Sequence, residues 1–405
     1  MRILVLISLI ILSLQQAQSQ TVEAMQQWFD TSGKNYRELP YQPFAHKVLT
    51  RKESEKAVEL LKNKWLKDAQ ARYSDVSESK VITLDDLKLK IATRIYGQKP
   101  TDGYSLYISM HGGGSAPARV NDQQWANQIR LYTPKEGVYV APRAPWNDWN
   151  MWFKPRLDEL FEMLIEYAVS TLGVNPDKVY LLGYSAGGDG VWRMAPRMAD
   201  RWAAASMMAG HPGEASQVNL RNTPFMIWMG ENDHAFNRNK LAVHHGKIMD
   251  SLQAADNAGY IHETHIIEGK DHWMERADTA AIAWMAQHRR EPYPNKIVWR
   301  QEEVTRNSFY WLSLPKDQAR KHKMMVVAEY DGNTINIEHS DYQHLTFHLN
   351  DEMMNLDKPV TVCYNGKKIF KGRVARTVAT LSETLAQRGD LRYMFPAKLD
   401  VEIPK

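Results

Sequence analysis

The chain has almost no cysteine, no strong excess of charge of one sign and, beyond its first residues, no long apolar run. Among its 405 residues the single cysteine is Cys363, so no disulfide can form within the chain and no zinc site made of several thiolates is possible. The formal net charge of +4 is too small for the clustered basic surface with which proteins bind nucleic acids. Stability must therefore come from buried apolar cores, and we expect no nucleic-acid partner.

The amino terminus carries the one strongly apolar stretch. A short positive start precedes an almost wholly apolar run, Ile3–Leu14, and small residues follow at Ala17 and Ser19, a pattern typical of a secretory signal peptide. The run is short for a membrane span. We therefore predict a signal peptide over residues 1–19, a secreted or periplasmic mature protein and no membrane insertion after cleavage, with an uncleaved anchor as the alternative.

Residues 20–79 are predicted to form a helical segment. Apolar residues recur at helical spacing from Arg51 to about Tyr73, which indicates an amphipathic helix. Since the apolar face of such a helix must cover a larger surface, we expect this segment to pack on the domain that follows it.

Between residues 80 and 292, short apolar strands alternate with helical patterns. This alternation favours a mostly parallel sheet covered by helices on both faces, an α/β fold. The first strands follow one another without intervening helices, so we expect that edge of the sheet to be antiparallel. The predicted strands are Val81–Leu84, Leu87–Tyr96, Tyr104–Met110, Gly137–Ala141, Lys178–Leu182, Phe225–Met229 and Tyr260–Ile267.

From residue 295 to residue 405 the pattern changes to short alternating strands. Asp331-Gly332-Asn333 and Asn365-Gly366 are hairpin turn signals, because Asn, Asp and Gly tolerate positive φ. One helix is predicted near Val378–Gln387. We expect a separate β-rich, sandwich-like accessory domain.

The strongest chemical motif is Gly183-Tyr184-Ser185-Ala186-Gly187, which follows an apolar strand and precedes a helical pattern. A nucleophilic serine must stand clear of the sheet on a tight turn, and glycine two positions to either side removes a clash with neighbouring backbone. The positive end of the following helix favours a negative charge developing beside the serine. We therefore predict Ser185 as a nucleophile.

A second glycine-rich segment, His111-Gly112-Gly113-Gly114, directly follows the predicted strand Tyr104–Met110. Successive glycines let backbone N–H groups approach a substrate closely, and such donors stabilise the oxyanion that forms in acyl transfer. We predict an oxyanion hole made by the N–H of Ala186 and one N–H from Gly113 or Gly114.

A serine nucleophile needs a base, and the base needs a carboxylate to orient it. Asp233 follows the strand Phe225–Met229 and His272 follows the strand Tyr260–Ile267, and loops after parallel strands emerge on one side of a sheet. We predict His272 as the base and Asp233 as the orienting acid, with Glu231 as an alternative acid. The other histidines considered for the base are His234, His244, His245, His262 and His265.

From about residue 80 to residue 290 the chain resembles the α/β-hydrolase superfamily. It is most similar to secreted esterases such as polyhydroxybutyrate depolymerases and feruloyl esterases, and also to the catalytic domain of prolyl-oligopeptidase-like serine peptidases. The resemblance rests on His111–Gly114, Gly183–Gly187, Asp233 and His272. The chain lacks the further cysteines of the depolymerases, and residues 20–79 are too few for the large amino-terminal domain of the peptidases.

The loop after the predicted strand Gly137–Ala141 is rich in aromatic residues and is expected on the face that carries Ser185. Aromatic rings suit a flat acyl group or the apolar face of a sugar, but the same residues can instead pack between strand and helix. His211, after a further predicted strand, is another candidate. The predicted substrate-binding residues are His111, Tyr184, Trp146, Trp149, Trp152 and His211.

The predicted function is a secreted serine hydrolase that cleaves small or polymer-linked carboxylic esters through an acyl-enzyme. This chemistry calls for no metal and no organic cofactor. Two alternatives remain, a serine peptidase of prolyl-oligopeptidase-like type and a non-catalytic binding protein on a hydrolase frame. No pattern in the sequence encodes the oligomeric state.

Overall fold

The computed structural model describes residues 21–31 and 35–404. The predicted signal peptide over residues 1–19 lies outside the described residues. Where the chain is described, none of its helices combines the length and the apolar character that crossing a membrane requires.

The described chain divides into two units. The larger unit contains the predicted α/β domain, and the smaller unit contains most of the carboxy-terminal region. The larger unit comprises Arg72–Tyr310 and Ala319–Val327; the smaller unit comprises the residues up to Ala71, Trp311–Gln318 and Ala328–Lys405.

Helices and strands alternate along the larger unit, and strands dominate the carboxy-terminal region. The α-helices are α1 (21–31), α2 (Arg51–Arg72), α3 (Val76–Ser79), α4 (Ala118–Gln128), α5 (Leu157–Thr171), α6 (Ala186–Arg197), α7 (Arg238–Ala255), α8 (Ala280–Met285) and α9 (Val378–Arg388). The strands are β1 (Val81–Leu84), β2 (Leu87–Tyr96), β3 (Tyr104–Met110), β4 (Gly137–Arg143), β5 (Val174–Tyr184), β6 (Ala204–Met208), β7 (Phe225–Gly230), β8 (His262–Ile267), β9 (Lys296–Arg300), β10 (Ser308–Phe309), β11 (Leu312–Ser313), β12 (Met325–Asp331), β13 (Thr334–Ser340), β14 (His344–Leu349), β15 (Val360–Tyr364), β16 (Lys367–Gly372) and β17 (Ala397–Glu402).

One sheet forms the centre of the larger unit, with its strands in the order β1-β2-β4-β3-β5-β6-β7-β8. β2 pairs antiparallel with both β1 and β4, whereas β3 to β8 run parallel to one another. The predicted mostly parallel α/β sheet and its antiparallel edge are both confirmed.

The inner strands are buried because helices cover both faces of the sheet. β4 is buried at every position, and β3 at every position but its first. Helix α5 contacts β5 and buries Leu157, Leu160, Phe161 and Leu164, whose spacing of three and four residues forms one apolar face. Nearly continuous apolar strands are typical of a parallel sheet that is covered in this way.

The register of the parallel strands aligns the ends at which the functional loops begin. Met110 of β3 lies beside Gly183 of β5, Tyr184 lies beside Met208 of β6, and Gly230 of β7 lies beside Ile267 of β8. The loops after β3, β5, β7 and β8 therefore emerge at the same edge of the sheet, which is where open α/β sheets bind ligands.

The carboxy-terminal part of the smaller unit is built from short strands. β11, β14 and β17 lie in one sheet, and β12, β13, β15 and β16 lie in a second. Gly332 (φ +53°) lies between β12 and β13, and Asn365 (φ +47°) and Gly366 (φ +72°) lie between β15 and β16. These left-handed residues stand where the turn signals predict hairpins, and the β-rich carboxy-terminal region is confirmed.

The described part of segment 20–79 groups mainly with the carboxy-terminal strands. The Ser382 hydroxyl in α9 donates a hydrogen bond to the Tyr36 carbonyl oxygen (2.6 Å), which ties this segment to the carboxy-terminal helix. Up to Ala71 the segment belongs to the smaller unit, and its packing on the α/β domain stays a prediction. Amphipathic spacing marks a face to be covered but does not say which surface covers it.

Candidate active site

Ser185 stands on a strained turn between β5 and α6. Its φ of +58° and ψ of −120° lie outside the usual regions for a residue with a side chain. A Cβ on Gly183 would lie 2.4 Å from the Gly187 carbonyl oxygen, and one on Gly187 would lie 2.1 Å from that of Met110. Both glycines are required by close backbone approach, as the sequence motif predicts, and the turn lifts Ser185 clear of the sheet.

His272 and Asp233 converge on Ser185. His272 Nε2 lies 2.9 Å from Ser185 Oγ, and His272 Nδ1 lies 2.7 Å from Asp233 Oδ2. The Asp233 side chain is 1% exposed and that of His272 is 42% exposed. A buried carboxylate accepts the Nδ1–H and leaves Nε2 to accept the serine proton, which is the arrangement that general-base activation of a serine requires.

The alternative acid, Glu231, takes a different place. Its Oε2 accepts a hydrogen bond from the N–H of Gly269 (2.9 Å), at the start of the loop that carries His272. Asp233 therefore holds the imidazole, and Glu231 holds the backbone of the loop that presents it.

The other histidines have partners away from Ser185. His262 pairs with Asp250 (3.0 Å), His265 stacks on Trp228 with ring centroids 4.2 Å apart, and His234 contacts Asn239 (3.1 Å). His244 and His245 contact each other on α7. His272 is the histidine that the fold brings to Ser185.

The glycine loop after β3 offers one of its two candidate N–H groups to the pocket. The Gly114 N–H donates to Asn121 Oδ1 (2.8 Å), whereas the Gly113 N–H has no acceptor among the described residues. Ala186 is the first residue of α6, where a helix leaves its N–H without an intrahelical acceptor. Gly113 and Ala186 are thus the donors available for an oxyanion, and no pattern in the sequence points to Asn121.

The comparisons with known proteins agree with this architecture. Residues 146–288, which include Ser185, Asp233 and His272, match the model of the dienelactone hydrolase family. The larger unit has the α/β-hydrolase fold. No curated protein matches the chain significantly.

Several solved structures resemble the α/β-hydrolase unit at low sequence identity. A thermostable esterase is 17% identical with a TM-score of 0.41, over 52% of this chain and 63% of the esterase. Est1E from Butyrivibrio proteoclasticus with bound ferulic acid is 17% identical with a TM-score of 0.35, over 51% and 98%. FphF, a fluorophosphonate-binding serine hydrolase of Staphylococcus aureus, is 12% identical with a TM-score of 0.37, over 51% and 96%.

Two of the predicted substrate-binding residues lie beneath the site of the α/β-hydrolase unit. His111 and Trp152 are both 0% exposed. The Trp152 indole donates to the His111 carbonyl oxygen (2.8 Å), and His111 Nε2 accepts from the Ala144 N–H (3.2 Å). Burial lowers the pKa of His111 to about 4, so the ring is neutral. The structure does not bring either side chain to the pocket. Both instead form hydrogen bonds with backbone groups at or beside the start of the glycine loop.

Two further predicted residues also lie off the pocket lining. Tyr184 is 8% exposed and directs its hydroxyl to the backbone of the His272 loop. Trp146 is half-buried beneath the ammonium group of Lys154, which lies 5.3 Å from its ring centroid. The sequence predicts substrate contacts at both residues, but a position near the end of a strand does not say which way a side chain points.

Trp149 and His211 do line the pocket beside Ser185, which has a volume of about 450 Å³. Trp149 is 62% exposed at its rim. Sequence reasoning gave no pocket role to five other lining residues. They are Ser115, Asp189, Arg193, Phe236 and Arg238, while the predicted aromatic loop also contributes Phe153.

Two arginine–aromatic pairs shape the pocket. The Arg193 guanidinium lies 4.4 Å from the Phe153 ring centroid and pairs with Glu303 (3.0 Å). The Arg238 guanidinium lies 4.9 Å from the Phe236 ring centroid and 3.9 Å from Asp233 Oδ1. Because carboxylates offset both cations, the pocket combines aromatic walls with hydrogen-bond donors rather than a large net positive charge.

Asp189 also lines the pocket, one helical turn after Ser185. Burial raises the pKa of its carboxyl, and its Oδ1 accepts a hydrogen bond from the His211 N–H (2.6 Å). Burial also lowers the pKa of His211, helped by Arg238 and Arg193. No group of His, Cys, Asp or Glu side chains in the described part of the chain is arranged to hold a metal ion.

Proposed function

We propose that the protein is a serine hydrolase that cleaves carboxylic esters through an acyl-enzyme on Ser185. The observation that carries the proposal is the chain of contacts from Ser185 Oγ to His272 Nε2 (2.9 Å) and from His272 Nδ1 to Asp233 Oδ2 (2.7 Å). The match of residues 146–288 to a hydrolase family supports the same reaction class.

In this mechanism His272 Nε2 removes the proton of Ser185 as Oγ attacks the ester carbonyl carbon. The oxyanion accepts hydrogen bonds from the N–H groups of Gly113 and Ala186. Collapse of the tetrahedral intermediate breaks the bond to the alcohol, which leaves with the proton from His272. Water, deprotonated by the same nitrogen, then hydrolyses the acyl-enzyme and restores Ser185.

The surroundings favour the charges that develop along this path. Asp233, buried beside the ring, stabilises the imidazolium that forms when His272 takes the proton. The amino-terminal end of α6 faces the oxyanion with its positive dipole. Each oxyanion donor of this kind is worth roughly a hundred- to a thousandfold in rate.

The wider setting is also proposed. The pocket, with its aromatic walls and the exposed Trp149, suits a small ester or one attached to a polymer. The pattern of residues 1–19 favours secretion, and cleavage after Ser19 would be seen as a new amino terminus on protein exported from expressing cells.

The test compares hydrolysis of short-chain p-nitrophenyl esters and aminoacyl p-nitroanilides by the mature protein. We expect ester turnover, reduced by at least about a thousandfold in Ser185→Ala. Ser206→Ala, at a fully buried serine on the neighbouring strand β6, should retain it. Anilide turnover without ester turnover would instead favour the peptidase, and no turnover of either would favour a binding protein on a hydrolase frame.

A further inference from the structure

We propose that Tyr184 is a positioning residue that holds the His272 loop in line with Ser185. The inference rests on the proposed function, since it concerns how the base reaches the nucleophile. It assigns Tyr184 a role through His272 rather than through contact with substrate.

The Tyr184 hydroxyl bridges two backbone groups on either side of Trp273. It donates to the His272 carbonyl oxygen (2.7 Å) and accepts from the Met274 N–H (3.1 Å). The ring also packs against Trp273, with centroids 5.7 Å apart. Burial raises the pKa of Tyr184, so the hydroxyl keeps the proton that it donates.

The loop needs such a hold because His272 is weakly enclosed. Its side chain is 42% exposed, and the structure gives that side chain two hydrogen bonds, to Asp233 and Ser185. The loop follows β8, which lies at the edge of the sheet. A displacement of about 1 Å between reacting groups can cost about a hundredfold in rate.

Tyr184 is suited to this role by its place in the chain. It is the last residue of β5, directly before Ser185, and is 8% exposed. The end of β5 therefore positions Ser185, which directly follows the strand, and it positions His272 through the Tyr184 hydroxyl. The opposite side of the loop is held separately, where the Asn232 N–H donates to the Lys270 carbonyl oxygen (2.7 Å).

The chain offers a matched control on the same strand. Tyr180 is also buried, at 1% exposed, and its hydroxyl donates to the carbonyl oxygen of another histidine, His288 (2.9 Å). Tyr180→Phe and Tyr184→Phe each remove one tyrosine hydroxyl that donates to a backbone carbonyl. Only Tyr184→Phe removes hydrogen bonds to the loop that carries His272.

The experiment measures kcat, KM and thermal unfolding for wild type, Tyr184→Phe and Tyr180→Phe. We expect kcat for Tyr184→Phe to fall about tenfold or more, with KM within about twofold. Both variants should lose similar thermal stability, and Tyr180→Phe should keep its kcat. The proposal would be overturned by a Tyr184→Phe enzyme with kcat within about twofold of wild type, or by an equal loss of kcat in both variants.

A second readout separates this inference from the proposed reaction. The Nδ1–H proton of His272, bonded to Asp233, should give a strongly deshielded NMR signal in protein labelled with ¹⁵N-histidine. We expect the signal in wild type and Tyr180→Phe, and its loss or broadening in Tyr184→Phe. If wild type hydrolyses no ester but this pattern is found, the proposed function fails and the positioning role stands. An unchanged signal in Tyr184→Phe would refute the positioning role.

Discussion

At the scale of single residues, Asn121 holds the backbone of the glycine loop after β3. This fully buried amide accepts from the Gly114 N–H and donates to the Ala116 carbonyl oxygen (3.0 Å) and to Asn147 Oδ1 (3.0 Å). A Cβ on Gly113 would lie 2.3 Å from Asn121 Oδ1, so the loop passes directly over the amide. The geometry of the glycine loop therefore depends on a buried amide that does not line the pocket beside Ser185.

We predict that Asn121→Ala lowers kcat for ester hydrolysis by about tenfold or more, with a smaller change in KM. The substitution frees the Gly114 N–H and removes the support that fixes the Gly113 N–H. Steady-state kinetics on p-nitrophenyl esters would measure the effect.

The control for this prediction is Gln128→Ala on the same helix, α4. Gln128 is buried and donates to Ser109 Oγ (2.7 Å) instead of holding the glycine loop. Both substitutions should cost about 1–3 kcal/mol of stability, because each removes a buried hydrogen-bonding group. Equal kcat in the two variants would show that Asn121 has no special effect on the oxyanion donors.

At the scale of elements, the backbones of the loops after β7 and β8 come into close contact at Gly230. Gly230 ends β7, and a Cβ at this position would lie 1.9 Å from the Asp271 carbonyl oxygen. The loop that carries Asp233 and the loop that carries His272 therefore pass each other at backbone contact. Their separation sets the 2.7 Å distance between His272 Nδ1 and Asp233 Oδ2.

We predict that Gly230→Ala abolishes most ester hydrolysis, by about a hundredfold or more, because the His272 loop must move away from Asp233. Gly269→Ala in the same loop provides the comparison. A Cβ there meets no atom within 4 Å, although its φ is +67°. It should keep activity and lose about 1 kcal/mol of stability through backbone strain. A folded Gly230→Ala enzyme of normal activity would show that this close contact does not position His272.

At the scale of the whole molecule, buried histidines couple stability to pH. Burial lowers the pKa of His111 to about 4, of His245 to about 4 and of His348 to about 3, from an ordinary value of 6.5. Between about pH 6.5 and 4 the unfolded chain binds more protons at these groups than the folded chain does, so acid lowers the free energy of unfolding. Glu302 acts in the opposite sense, because burial raises its pKa to about 7 from 4.5.

We predict that the melting temperature falls as pH drops from about 6.5 to 4, since more histidines have a lowered pKa than carboxyls have a raised one. Calorimetry across this range would measure the fall. His348→Gln should reduce the slope, because His348 is buried against Ser313 Oγ (2.8 Å). A slope unchanged by His348→Gln would exclude this histidine as a source of acid sensitivity.

The sequence was most informative where function depends on local backbone. The turn at Ser185 needs Gly183 and Gly187 at fixed offsets, so its place between β5 and α6 was predicted from the motif alone. Asp233 and His272 are predicted from their positions after parallel strands, because strand ends in such a sheet meet at one edge.

The sequence by itself determined the strand-and-helix alternation, the parallel sheet, the turn at Ser185 and the loops that meet beside it, because each of these is encoded by residues close together along the chain. Only the tertiary structure decided how the side chains in those loops are used. Trp152 and Trp149 are three positions apart, and one is buried while the other is 62% exposed at the pocket. Tyr184 acquires its contacts from a loop distant in sequence, and Asn121 acquires those to Gly114 and Ala116 from the way the glycine loop folds over it. Neither periodicity nor motif carries that information.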